Sequence, residues 1–425
     1  MKLANTKRSV FVYADWLGLK EPNLMGILHA ERLRGKEIFS FEYDKNWLKS
    51  EHIQLLDPDL QLYSGLHYLK EGNRENFGVF LDSSPDRWGR ILMRRREAAL
   101  ARFEKRQEQH LYELDYLLGV YDGHRMGALR FKSVHGEAFL NNNKELASPP
   151  WTSIGELENI SLQLESDDAV NNPEYLKWLS MLINPGSSLG GARPKASITD
   201  KKGQLWIAKF PSIQDSFNIG AWEMLTHELA VESGINMAEA KAQRFSSKHD
   251  TFLTKRFDRG HGGSRIHFAS AMTLLGYSDG EKGASYLDMV EFIINYGGRV
   301  TEDLEQLFRR ITFSICVSNV DDHLRNHGFL LTRNGWVLSP AYDINPIETG
   351  TGLSLNISEN ENSLDWSLLM EVGPYFRLER EKVSLIIEEV KFKVKKWREK
   401  AIKYGVSNVE QELKSNAFRM AYMSI

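Results

Sequence analysis

Apolar and polar positions alternate along SVFVY (9–13) and along GILHAERLRGKEIFSFEY (26–43), with Gly35 dividing the second run. A period of two broken by a glycine predicts a small antiparallel sheet. The period becomes helical in PDRWGRILMRRREAALARFEKRQEQH (85–110), which opens with Pro85 and puts Trp88, Ile91, Leu92, Ala98 and Phe103 roughly on one face. Its arginines are expected on the opposite, solvated face. GVYDGHRMGALRF (119–131) returns to strand. FLNNNKELASPPW (139–151), rich in Asn, Ser and Pro, reads as a linker and sets a boundary near 140–150.

Beyond the linker come a helical stretch, a glycine-rich loop NPGSSLGGARPKA (184–196), and a hairpin of KASIT, the turn DKKG and the strand QLWIAKF (195–210). SFNIGAWEMLTHELAVESG (216–234) is a helix that Gly234 can close in a left-handed conformation. Strands are expected at AQRFSS and TFLTKRF, and helices over 284–317 and from 363 onward. In that last region Val383, Ile386, Ile387, Val390, Val394, Trp397 and Ala401 repeat near every 3.6 residues. Strands first and helices later give an α+β arrangement of three segments: 1–148, a strand-rich lobe over 149–258 and a helical lobe over 259–425.

A chain of 425 residues that is 42% hydrophobic has ample material for packed cores. Its single cysteine, Cys316, excludes an internal disulfide framework and, inside an apolar run, is expected as a buried small hydrophobe. Residues 1–30 lack the pattern of a secretion signal, and no uncharged run approaches the roughly 18–20 residues that span a bilayer, so the cytoplasm is the expected compartment. A net charge of −3 argues against a surface built to coat a polyanion, and the basic stretches 94–106 and 391–400 are expected as solvated faces.

The chemistry concentrates in SNVDDHLRNHGFLL (318–331), directly after the apolar ITFSICV. GFLL and WVLS flank Asn334-Gly335, a strong signal for a tight hairpin, whose closure should return Asp343 beside Asp321 and Asn326. Three oxygen-bearing side chains converging in this way suit Mg²⁺, which takes few protein ligands and completes its shell with water and phosphate oxygens. Asp321 can orient an attacking hydroxyl. The spacing Asp-x-x-x-x-Asn with a later Asp is the order of parts in the protein-kinase catalytic loop. Alone it competes with helix capping and turn formation. Upstream, Lys209 ends a half-buried strand, where an ammonium requires an anion, and Glu223 on the next helix can pair with it. Gly190 and Gly191 let the backbone approach a phosphate, although no Walker A sequence is present. His227-Glu228 fails as a zinc motif because residue 231 is valine, and His323 and His327 are expected to hydrogen-bond within their loop rather than bind metal.

SSLGGARPKA, WIAKFP, TKRFDR, NVDDHLRNHGF and AYDINP, with FSFEYDKNWL near the start, together resemble the HipA family of bacterial serine/threonine kinases, toxins of toxin–antitoxin operons. The resemblance covers nearly the whole chain and implies a protein-kinase-like bilobal fold: a small β-rich N-terminal subdomain, a nucleotide lobe and a helical C-terminal lobe. It implies that Ser188, or its neighbour Ser187, is autophosphorylated. It further implies that Lys209 contacts ATP, that Lys255, Phe257 and Asp258 lie at the adenine hinge, that Asp321 is the catalytic aspartate, and that Asn326 and Asp343 hold Mg²⁺. Asp322 stands where the family carries a small residue, and Lys255 where it carries an acidic one. The expected partners are a HipB-like helix-turn-helix antitoxin docking partly on 1–148, DNA only through that complex, and a protein acceptor, with an aminoacyl-tRNA synthetase among the acceptors implied. Two rival readings are a non-catalytic co-repressor and a small-molecule phosphotransferase.

Overall fold

The computed structural model describes residues 7–70, 74–143, 149–166, 168–182 and 193–425. They form two compact units, Met1–Ala208 with Asp258–Asp279, and Lys209–Phe257 with Gly280–Ile425. One cut, between Phe257 and Asp258, falls beside the expected boundary at 258, whereas the boundary expected at 148 lies inside the first unit, which runs on to Ala208 in the strand Leu205–Lys209.

The first unit is built on a five-stranded sheet: β1 (Lys7–Ala14), β2 (Asn23–Leu33), β3 (Lys36–Tyr43), β4 (Leu66–Tyr68) and β5 (Leu129–Lys132), in the order β4-β3-β2-β1-β5. The alternation of SVFVY and of 26–43 turns Val10, Val12, Leu28, Ala30, Phe39 and Phe41 inward. Arg34 and Gly35 both have positive φ (50° and 82°) between the paired residues Leu33 and Lys36, the backbone that a two-residue hairpin turn demands. Phe80 meets Phe41 and Phe131 on the inner face, with ring centroids 5.8 and 6.0 Å away.

The basic helix spans Arg87–Phe103 and buries Trp88, Leu92, Ala99 and Ala101. Asp86 starts it by accepting from the Gly89 N–H at 2.9 Å. Two expectations fail here. Phe103 is 78% exposed, because the chain reverses at Lys105 (φ 52°) and Arg106 turns back to Glu97. Nor are all the arginines solvated: Arg90 grips Glu113 and Arg95 donates to the Leu164 carbonyl at 2.8 Å. GVYDGHRMGALRF is strand only from Leu129. Its middle is held as a loop by Arg125, fully buried, whose guanidinium donates to the carbonyls of Ser83, Leu117, Val120 and Leu140. The strands Lys195–Thr199 and Leu205–Lys209 flank the expected turn, closed by the Asp200 N–H to the Gln204 carbonyl at 3.0 Å.

In the second unit the helix Ile219–Glu232 starts at Asn218, whose side chain accepts from the Ala221 N–H, and Gly234 follows its end at φ 79°. Strands Ala240–Arg244 and Asp250–Lys255 pair antiparallel. Helices Tyr286–Tyr296, Val300–Cys316, Arg380–Val394 and Trp397–Lys403 supply the core, and the seven periodic positions from Val383 to Ala401 are all buried. The chain bends between Val394 and Trp397, so the single run expected is two helices, and Trp397 stacks on Phe418 at 4.4 Å.

Across these helices Glu228 accepts from Lys400, Lys403 and Tyr404. Partial burial pushes its carboxyl up, but these donors outweigh that and bring it down to about 2. A carboxylate lowered on folding stabilises above its unfolded value of about 4.3 and loses that contribution as the pH falls towards the folded one. Glu228→Gln should therefore cost about 1 kcal/mol near neutrality, since the site is only partly buried and solvent screens its ion pairs. The difference in melting temperature from wild type should shrink below about pH 4.3.

The hairpin joins Gly328–Thr332 to Gly335–Leu338, with Phe329 opposite Leu338 and Thr332 opposite Gly335, so its two connecting residues are Arg333 and Asn334. Gly335 adopts φ 121°, and a Cβ there would lie 2.6 Å from the Tyr296 carbonyl oxygen. Gly335→Ala is expected to destabilise by about 1–3 kcal/mol, read as a lower melting temperature. An unchanged one would mean that the backbone yields.

Candidate active site

The strand Leu205–Lys209 buries Trp206, Ile207 and Ala208 in succession and ends at Lys209, which falls in the second unit. Its ammonium meets Glu223, buried on the helix Ile219–Glu232, and Asp343 Oδ1 at 2.8 Å. Burial pushes the ammonium down, but Asp343 and Glu223 outweigh it and hold Lys209 charged, above its ordinary value. Asp343 has φ 58°, a left-handed backbone that aspartate seldom adopts.

The hairpin returns the neighbours of Asp343 to the loop 318–327. The Tyr342 hydroxyl donates to the Arg325 carbonyl at 2.8 Å, and the Asn345 N–H donates to Asn319 Oδ1 at 3.2 Å. Within the loop the Asn326 amide donates to the Asp321 carbonyl at 3.0 Å, which the His323 N–H also meets at 3.1 Å. Ser318, at the exit of the helix Val300–Cys316, is another positive-φ residue (49°).

The adjacent aspartates face opposite ways. Asp321 is exposed, and Asp322 is buried. Asp322 accepts from the Tyr286 hydroxyl at 2.5 Å and from Ser314 Oγ at 3.3 Å, and lies 2.9 Å from His327 Nε2. Burial alone would raise its carboxyl, but His327 and the Tyr286 hydroxyl hold it below the usual carboxylate range. Burial and then Asp322 push the Tyr286 phenol well above its ordinary value.

Ser187, Ser188, Gly190 and Gly191 lie outside the described residues. The ring of Phe257 stacks on Tyr342 at 5.6 Å, and Lys255 is half-exposed, 3.9 Å from Glu239. Asp258 falls in the first unit, fully buried, where it accepts from the Gly127 N–H at 2.8 Å and from Arg259 at 2.6 Å. Sequence reasoning passed over Asn319, Tyr342 and Tyr286. Only Tyr342 had a local signal, its place directly before Asp343. His227 spends Nε2 on the Ala238 carbonyl at 2.7 Å, and Cys316 is buried, where desolvation raises its thiol.

Among the described residues no three His, Cys, Asp or Glu side chains are grouped to hold a metal by themselves. The pair Asn326 and Asp343 suits Mg²⁺ only as a partial shell that phosphate oxygens complete, and the Asn326 amide nitrogen, spent on Asp321, leaves its oxygen as the acceptor.

Residues 187–397 match the HipA-like C-terminal domain. A protein of Haemophilus influenzae named "Putative kinase" is 26% identical over 180 residues, which are 37% of this chain and about half (52%) of that relative's length. The fold resembles that of HipA from the Shewanella oneidensis MR-1 toxin–antitoxin system, solved with HipB and its operator DNA: TM-score 0.63 at 17% identity, covering 97% of this chain and 95% of that one. At that identity the likeness concerns the fold, an α+β architecture of the kinase-like HipA type. The domain at 187–397, which holds Lys209, Glu223, Asp321, Asn326 and Asp343, belongs to the HipA-like C-terminal domain family.

Proposed function

We propose that this chain is a Mg²⁺- and ATP-dependent serine/threonine protein kinase of the cytoplasm, and the toxin of a toxin–antitoxin pair. The observation that carries the reading is Lys209 held between Glu223 and Asp343, with the exposed Asp321 on a loop braced by Asn326. A buried ammonium already committed to carboxylates is placed to take phosphate oxygens, and Glu223 fixes its position when they arrive. Asn326 and Asp343 are the side chains that hold Mg²⁺, which when bound neutralises phosphate charge. Asp321 orients the acceptor hydroxyl and receives its proton.

The reading extends to a protein acceptor, an aminoacyl-tRNA synthetase among the candidates, to autophosphorylation at Ser188 with Ser187 as the competing site, and to a HipB-like helix-turn-helix antitoxin through which DNA is reached, the last supported by the likeness to HipA solved with HipB and its operator DNA. The test is transfer of labelled γ-phosphate from ATP to protein serine or threonine by the purified chain, with and without Mg²⁺. Mg²⁺-dependent transfer supports the reading. A folded chain that turns over no ATP overturns it, and phosphorylation of small molecules alone overturns the protein acceptor.

A further inference from the structure

The catalytic reading uses Asp321 and Asn326 but leaves Asp322, His327 and Tyr286 without a task. Asp322 is buried and charged, a costly combination unless its oxygens are met. They are met from three directions: Tyr286 at the start of one helix, Ser314 in the last turn of another, and His327 just before the hairpin. The Tyr286 and His327 rings meet edge to face, 88° apart with centroids at 5.7 Å. A void of about 10 Å³, lined by Arg310, Ser314, Asp322, Asn326, His327 and Tyr342 among others, lies beneath the loop. That is room for one water at most. Asp322 and His327 thus root both ends of the segment that presents Asp321 and Asn326, and Asn326 closes it by donating to the Asp321 carbonyl.

We infer that Asp322 is a positioning residue for the phosphotransfer loop: anchored by Tyr286 and His327, its buried carboxylate fixes the backbone of its neighbour Asp321, so that the Asp321 side chain faces outward in one orientation. Asp322 is buried and its neighbour Asp321 is exposed, so immobilising residue 322 on the inside fixes the turn from which the Asp321 side chain leaves towards solvent. Displacing a reacting group by about 1 Å costs on the order of 10²-fold in rate, and supporting groups around a site are commonly worth about 10–100-fold. The role rests on the kinase reading for its effect on rate, but not for its effect on the loop.

The test compares Asp322→Ala, Asp322→Asn and Tyr286→Phe in the full chain. Asp322→Ala should lower kcat by about 10–100-fold with KM for ATP near the wild-type value, because Lys209 and Glu223 are untouched. Asp322→Asn, which still accepts from Tyr286 and Ser314, should recover part of the loss. Amide hydrogen exchange over 319–328 should quicken in Asp322→Ala and in Tyr286→Phe, with the remaining helices protected as in wild type. If Asp322→Ala does not fold, Tyr286→Phe, which removes one hydroxyl, decides by the same two measurements. Unchanged kcat and exchange in the variants overturn the inference, as does a loss spread equally over kcat, KM and exchange throughout the unit. An inactive wild-type protein would sink the kinase reading alone, and loop exchange would then decide the positioning role.

Discussion

Replacing Asp321 by asparagine is expected to cut phosphotransfer by at least about 10²-fold, the scale of a lost general base, while ATP still binds. Asparagine keeps the size and hydrogen-bonding reach of the side chain but cannot take a proton from the acceptor. The backbone has no reason to move, because the loop contacts at this residue run through its carbonyl, to Asn326 and to the His323 N–H, rather than through its carboxylate. Asp343→Asn should behave differently, weakening Mg²⁺–ATP binding as well as turnover, since it also touches Lys209. Turnover by Asp321→Asn at the wild-type rate would remove Asp321 from the chemistry.

Lys209→Met should cost both stability and nucleotide. It removes the cation that Glu223 and Asp343 share, and breaking a buried pair from one side costs about 3–5 kcal/mol. Losing a charge-assisted bond to phosphate should weaken ATP binding by about tenfold to a hundredfold. Adding Glu223→Leu should restore much of the melting temperature without restoring ATP affinity, which separates the two roles. Because folding raises the Lys209 ammonium above its ordinary value, its stabilisation is complete below about pH 10.4 and is lost only as the pH rises through the folded value. The gap between wild type and variant should therefore be flat through neutrality and close in alkali. A Lys209→Met protein that melts and binds ATP like wild type would contradict the assignment.

Much of this was legible in the chain because it depends on local patterns. The alternation of β1 to β3, the glycine turn at Gly35, the Asp200 turn and the buried stripe from Val383 to Ala401 follow from period and turn chemistry alone. The hairpin was legible too, although its register puts Arg333 and Asn334 at the tip and leaves Gly335 to make room for the Tyr296 carbonyl, a demand from a distant residue. The order of the site residues was also present in the sequence, as a glycine-rich loop, a strand lysine, a helix glutamate, an acidic loop and a final aspartate.

Side-chain choices that turn on partners far along the chain were not legible. The spacing to Asn326 singles out Asp321, but no local rule says that Asp322 is the one to be buried. The difference arises because Tyr286, thirty-six residues earlier, and His327 capture one carboxylate and leave the other outside. The partners of Asp258, the Gly127 N–H far along the chain and the neighbouring Arg259, were not legible either. Arg125 turned an expected strand into a loop by collecting four carbonyls, and Arg90 and Arg95 left the solvated face for Glu113 and the Leu164 carbonyl. In each case burial makes an unmatched charge or carbonyl expensive, so the side chain goes where a partner completes it. The sequence by itself determined the periods, the turns and the order of chemical groups. Tertiary structure decided which of those groups would spend their charge on the fold and which would be left to act.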